Sequence, residues 1–213
     1  MSDFIQFIKK PYIENKQHKI VWKYFFTLLF SYYLILLPVG FFIKIINSIF
    51  NITQKQLNLE LLPKIVLALF IGPIIEELLF RLILIINKRN LIIFSSLAII
   101  LATYSLLKSN YFYSIILFTL SILVVSSLSK SLEIRSIITK YFSAYFYAIT
   151  IIFGLMHFKN YNGIEGFLYL WIPFLVFPQI LMGVFFGYIR IKFGIIYSII
   201  FHMIINLLAI GTI

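Results

Sequence analysis

The residues able to do chemistry are few. They are the adjacent Glu76 and Glu77, Arg81 four positions on, then His157, and finally His202 with Asn206 four positions after it. Each lies in a run that is otherwise apolar. On a helix Glu77 and Arg81 are i, i+4 neighbours and can pair along one face, while Glu76 points about 100° away from that face. Phe153 and His157 repeat the same spacing, as do His202 and Asn206. A carboxylate with no charge partner on its own helix, near two imidazoles, suits general acid–base work. Bland readings stand beside these. Glu77 and Arg81 can simply neutralise each other, and a buried His or the His202–Asn206 pair can be a helix-to-helix hydrogen bond. Glu76 is the hardest to explain by packing.

Other catalytic patterns are missing. No H-E-x-x-H surrounds His18, His157 or His202, and there is no G-x-S-x-G elbow or glycine-rich phosphate loop. With no cysteine there is no disulfide, thiolate nucleophile or sulfur ligand. The expected cofactor is none. A zinc ion held by Glu76, His157 and His202 is the minority alternative.

The elements that must position these groups follow from composition. Of 213 residues 62% are hydrophobic and 12% charged, against about 45–50% and about 25% in soluble domains. The mean hydropathy is +1.03. A soluble core of this size cannot hide so much apolar surface, so the chain belongs in a bilayer. A cytosolic enzyme, a disulfide scaffold and a disordered regulator are excluded. The net charge of +11 sits in short gaps between apolar runs, as positive-inside topology requires, so nucleic acid is not a partner.

Runs long enough to span number about seven, within a range of six to eight: 24–48, 62–86, 91–107, 111–128, 141–158, 167–189 and 194–212. The expectation is an all-α, polytopic transmembrane bundle forming a single domain over 1–213. Residues 1–21 are read as a cytoplasmic basic tail on the membrane surface. With that tail inside, 12 of the 18 Lys and Arg fall on the inner side, 5 outside and Arg81 within a span. The C-terminus then lies outside. Ionisable groups in mid-bilayer cost about 2.5–3.5 kcal/mol each, so Glu76, Glu77, Arg81, His157 and His202 are expected to meet one another.

The order Glu76-Glu77-x-x-x-Arg81, Phe153-x-x-x-His157, His202-x-x-x-Asn206 resembles the CPBP family of intramembrane proteases. That family joins CAAX prenyl protease 2-type enzymes to bacteriocin-processing and immunity (Abi) proteins. Pro73 and the stretch 181–190 leading to Gly194 fit the likeness, which spans roughly 62–210. It implies an intramembrane endopeptidase acting on a membrane-associated peptide or protein. Glu76 would activate water with help from His157, and His202 and Asn206 would hold the oxyanion. Glu77 and Arg81, with Phe153, would support the site. The gap of about 80 residues between Glu77 and His157 is more than twice what the likeness leads one to expect, and 91–128 reads as an inserted helical hairpin. At 1.5 Å per residue, His202 would lie roughly 12 Å and His157 roughly 24 Å from the inner surface, so a tilted or shifted fifth helix is needed to bring them together.

Two rival functions fit the same residues. One is a non-catalytic bacteriocin-immunity or partner-binding membrane protein. The other is a proton-coupled transporter, with Pro173 and Pro178 as a faint sign of broken helices. The wealth of Ile, Phe, Lys, Asn and Tyr suggests an AT-rich bacterial genome, hence a multi-pass protein of the bacterial cell membrane.

Overall fold

In the computed structural model, which describes residues 1–14, 16–55, 60–126, 128 and 131–210, the expected spans fall largely on helix, positions 127 and 211–212 of the fourth and seventh lying outside the described residues. Helices α1 (Ser2–Lys9) and α2 (Trp22–Ile49) open the chain. The second expected span is broken into α3 (Leu61–Val66), a π-helical turn (Leu67–Ile71), α4 (Gly72–Phe80) and a 3₁₀ turn (Leu82–Leu84). The expected hairpin is α5 (Lys88–Leu107) and α6 (Tyr111–Ser126), packed chiefly on each other. A polar helix, α7 (Ser131–Lys140), leads into α8 (Phe142–Met156) and a 3₁₀ turn at His157–Asn160. A further 3₁₀ turn (Gly166–Trp171) and α9 (Ile172–Leu175) precede α10 (Phe177–Lys192) and α11 (Ile195–Ile210). Among the described residues four helical segments are long and apolar enough to cross a membrane: 22–49, 88–107, 142–160 and 166–192. Their outward faces are greasy, with Leu37 69% and Phe41 70% exposed, as lipid-facing positions should be.

The core lies where α1, α2, α8, α10 and α11 meet, filled by Phe25, Phe146, Phe185, Phe186 and Phe201. Gly183 and Gly187 of α10 let α8 come close, as small residues do in membranes. A Cβ at Gly187 would stand 2.5 Å from the Phe146 ring, and one at Gly183 2.9 Å from Thr150 Cγ2.

The first residues are not a loose tail. Phe4 and Phe7 of α1 are buried, their rings 4.5 Å from Phe185 and 5.1 Å from Phe146. Tyr147 donates to the carbonyl of Ile8. Asp3 accepts hydrogen bonds from Tyr188 at 2.8 Å and Tyr12 at 3.2 Å, and pairs with Lys192 at 2.8 Å. A periodic apolar stripe on a short basic segment is ambiguous by itself; here the aromatic core on α8 and α10 captures it.

A small element also escaped the sequence reading. The β-strands β1 (Thr53–Gln54) and β2 (Tyr161–Asn162) pair antiparallel, joining the end of α2 to the turn after α8. Two-residue strands leave no alternation to detect.

Candidate active site

Proline organises the helix that carries the carboxylates. In the π-helical turn the Gly72 N–H bonds the carbonyl of Leu67, five residues back. The next bond in that register would run from residue 73 to Ala68, and Pro73 has no N–H to give. Asn206 of α11 supplies the missing donor, with Nδ2 2.8 Å from the Ala68 carbonyl. A bond across helices thus fixes the start of α4 and sets the direction of Glu76 and Glu77.

Glu77 is fully buried and saturated. Its Oε1 lies 3.6 Å from Arg81 Nε and 3.1 Å from His202 Nδ1, and Oε2 accepts a hydrogen bond from Ser198. Arg81 is equally buried, its guanidinium carbon 3.8 Å from the Phe153 ring centre and 5.2 Å from that of Phe186. Arg190 donates from Nε to the Arg81 carbonyl at 3.1 Å, closing the C-terminal end of α4. Ionic contact, cation–π contact and helix capping therefore converge on one short helix.

Glu76 points the other way, into a cavity. Its Oε2 lies 3.8 Å from His157 Nε2 and 3.8 Å from His202 Nε2, buried and without a hydrogen-bond partner. The difference in height expected between the histidines is absorbed by His157, which sits just past the end of α8. Its ring turns back over the last turn, 4.8 Å from Phe153, with Nδ1 2.8 Å from the Phe153 carbonyl. Helical side chains lean toward the N-terminus in this way.

The two imidazoles differ in what holds them. A carbonyl oxygen only accepts, so Nδ1 of His157 carries the proton and Nε2 of the neutral ring is an acceptor. For His202 the partner of Nδ1 is the Glu77 carboxylate, and its ring stacks on Phe186 at 4.4 Å. The ring environments alone separate the roles the two can take.

The cavity before Glu76 has a volume of about 700 Å³, with His157, His202 and Asn206 on its wall together with Leu36, Leu67 and Met182. A smaller space of about 180 Å³ adjoins Glu76 and His157 on the side of Phe80 and Met156. Glu76, His157, His202 and Asn206 are thus brought together, with Glu77, Arg81 and Phe153 packed behind them. Among the described residues no group of three His, Cys, Asp or Glu side chains stands out as a metal-binding set. Ser198 and Arg190 were missed in the sequence. Ser198 could have been found, because it stands four residues before His202 on the stripe that continues to Asn206. Arg190 closes the stretch 181–190 that fits the likeness, but its charge was counted only among the inner basic residues.

The profile of a family described as type II CAAX prenyl endopeptidase Rce1-like matches residues 58–208. No curated protein matches the chain. No solved structure matches it either.

Proposed function

The chain belongs to the type II CAAX prenyl endopeptidase Rce1-like family, a family of membrane-embedded proteases acting on peptides, and from that premise we propose that it hydrolyses a membrane-associated peptide or protein through a water activated by Glu76. The observation that carries the proposal is the unpartnered Glu76 Oε2 facing the Nε2 atoms of both histidines at 3.8 Å. Water in this corner donates one hydrogen to Glu76 and the other to the acceptor Nε2 of His157. Its oxygen attacks the scissile carbonyl carbon as Glu76 takes a proton. With a carboxylate on Nδ1, His202 can carry a second proton on Nε2 and offer it to the oxyanion. Asn206 adds the amide N–H not used by Ala68. Glu76 then passes its proton to the amide nitrogen, and the C–N bond breaks. Glu77 and Arg81 fix the ring of His202 and the axis of α4. No step is routed through a metal.

The test is Glu76→Gln in full-length protein in lipid, with cleavage of a membrane-associated peptide followed by mass spectrometry. Activity should fall at least about 10²-fold, the usual scale for a general base, while wild-type activity survives a zinc chelator. Full activity in a folded Glu76→Gln protein would overturn the proposal. Protection against a bacteriocin that persists in Glu76→Gln and His157→Ala variants would favour an immunity role instead.

A further inference from the structure

The catalytic groups occupy one part of the large cavity; another part is lined by carboxamides that the mechanism does not use. Asn47 comes from the last turns of α2, Gln54 from β1 and Gln179 from the first turn of α10, and all three face the cavity that contains Glu76. Asn47 Oδ1 and Gln179 Oε1 are buried and have no hydrogen-bond partner. Buried carboxamide oxygens nearly always find a donor, so two orphans on one cavity wall call for a donor that arrives with a ligand. Behind them stands Tyr161 of β2. Its hydroxyl donates to the Leu175 carbonyl at 3.0 Å and is flanked by Gln54 and Gln179. The wall is therefore held in shape by the β1–β2 ribbon rather than by a flexible loop. Lys44, which is exposed, also lines this cavity, and among the described residues Glu76 is the one carboxylate on its wall. Uncharged groups that both donate and accept match the repeating N–H and C=O of a peptide main chain, not a charged head group.

We propose that Asn47, Gln54 and Gln179 form a main-chain subsite, which takes N–H and C=O groups of an extended, uncharged stretch of substrate beside the scissile bond. This rests on the endopeptidase reading and adds where the substrate backbone is gripped. Apolar neighbours such as Leu36, Met182 and Ile205 line the same cavity and accommodate substrate side chains. The subsite selects extended backbone more than sequence.

The experiment uses the full chain in lipid nanodiscs, made non-hydrolysing by Glu76→Gln. The probe is a dansyl-labelled Leu-Ala decapeptide with blocked ends, alongside ten versions each methylated at one backbone nitrogen. Methylation at one or two positions should weaken binding by a factor of about 3–10, the range of a single hydrogen bond. Adding Asn47→Leu or Gln179→Leu should abolish that penalty. Asn47→Leu should leave the melting temperature of the empty protein unchanged or higher, because it removes an unpaired buried oxygen, whereas Gln179→Leu also gives up the contact of Gln179 with Tyr161. Absence of probe binding, the same methylation penalty with and without these substitutions, or a lowered melting temperature in Asn47→Leu would overturn the proposal. Binding with the expected profile, but no cleavage by the unsubstituted chain, would sink the endopeptidase reading and leave the subsite standing.

Discussion

Replacing Pro73 by Ala and Asn206 by Leu, singly and together, tests how the carboxylate-bearing helix is held. In the native chain Asn206→Leu leaves the Ala68 carbonyl without its 2.8 Å partner, at a cost of about 1–3 kcal/mol for an orphaned acceptor. Pro73→Ala restores a backbone N–H at the position that faces Ala68 in the π register. It should relieve a helix-interior penalty of up to about 3 kcal/mol. With that donor present the Asn206 side chain is redundant, and its removal should cost under about 0.5 kcal/mol. The coupling expected across the double-mutant cycle is therefore about 1–2 kcal/mol, or about 5–30-fold in the unfolding equilibrium. SDS titration in mixed micelles, followed through Trp22 and Trp171, measures it. Additive effects would refute the wiring. Hydrolysis gives the independent readout: if the second N–H of Asn206 serves the oxyanion, Asn206→Leu slows cleavage about 10²–10³-fold whether or not Pro73 is replaced.

Three further outcomes follow from the packing. Glu77→Gln strands a buried guanidinium and should cost about 3–5 kcal/mol, much of it recovered when Arg81→Met is added; unfolding curves in which the double variant is no better than the single would contradict the pairing. Gly187→Ala puts a methyl 2.5 Å from Phe146 Cε2 and should cost about 1–3 kcal/mol, with Phe146→Leu restoring part of it in the same measurement. Partial burial alone would raise the pKa of Asp3, but hydrogen bonds from Lys192 and Tyr188 outweigh it and hold the carboxyl below its ordinary value. A depressed folded pKa stabilises above the unfolded value, about 3.9, and that stability is lost as the pH falls through the folded one. Wild type should thus melt above Asp3→Asn at pH 7, and the gap should close in acid. A gap that persists down to where both forms are protonated would refute the clasp.

Much of this protein could be read from its residues because the bilayer leaves few choices. Apolar runs must be helices, since unpaired backbone is too costly in hydrocarbon. Ionisable groups inside those runs had to meet, and their types and positions alone single out Glu76, Glu77, Arg81, His157 and His202. The pairing of Glu77 with Arg81 is local, so spacing on one helix was enough to foresee it. What lay beyond the sequence was every property set by distant neighbours. The π-helical turn is accommodated because the Ala68 carbonyl, left without a donor at Pro73, is bonded by Asn206 of α11, 138 residues further along the chain. The basic N-terminal segment is drawn into the bundle because α8 and α10 leave room for Phe4 and Phe7. The distinction between the histidines comes from the second partner of each ring, a backbone carbonyl for His157 and a carboxylate for His202. Residue type and local spacing dictate which groups must be satisfied; only the packed helices decide which atoms satisfy them.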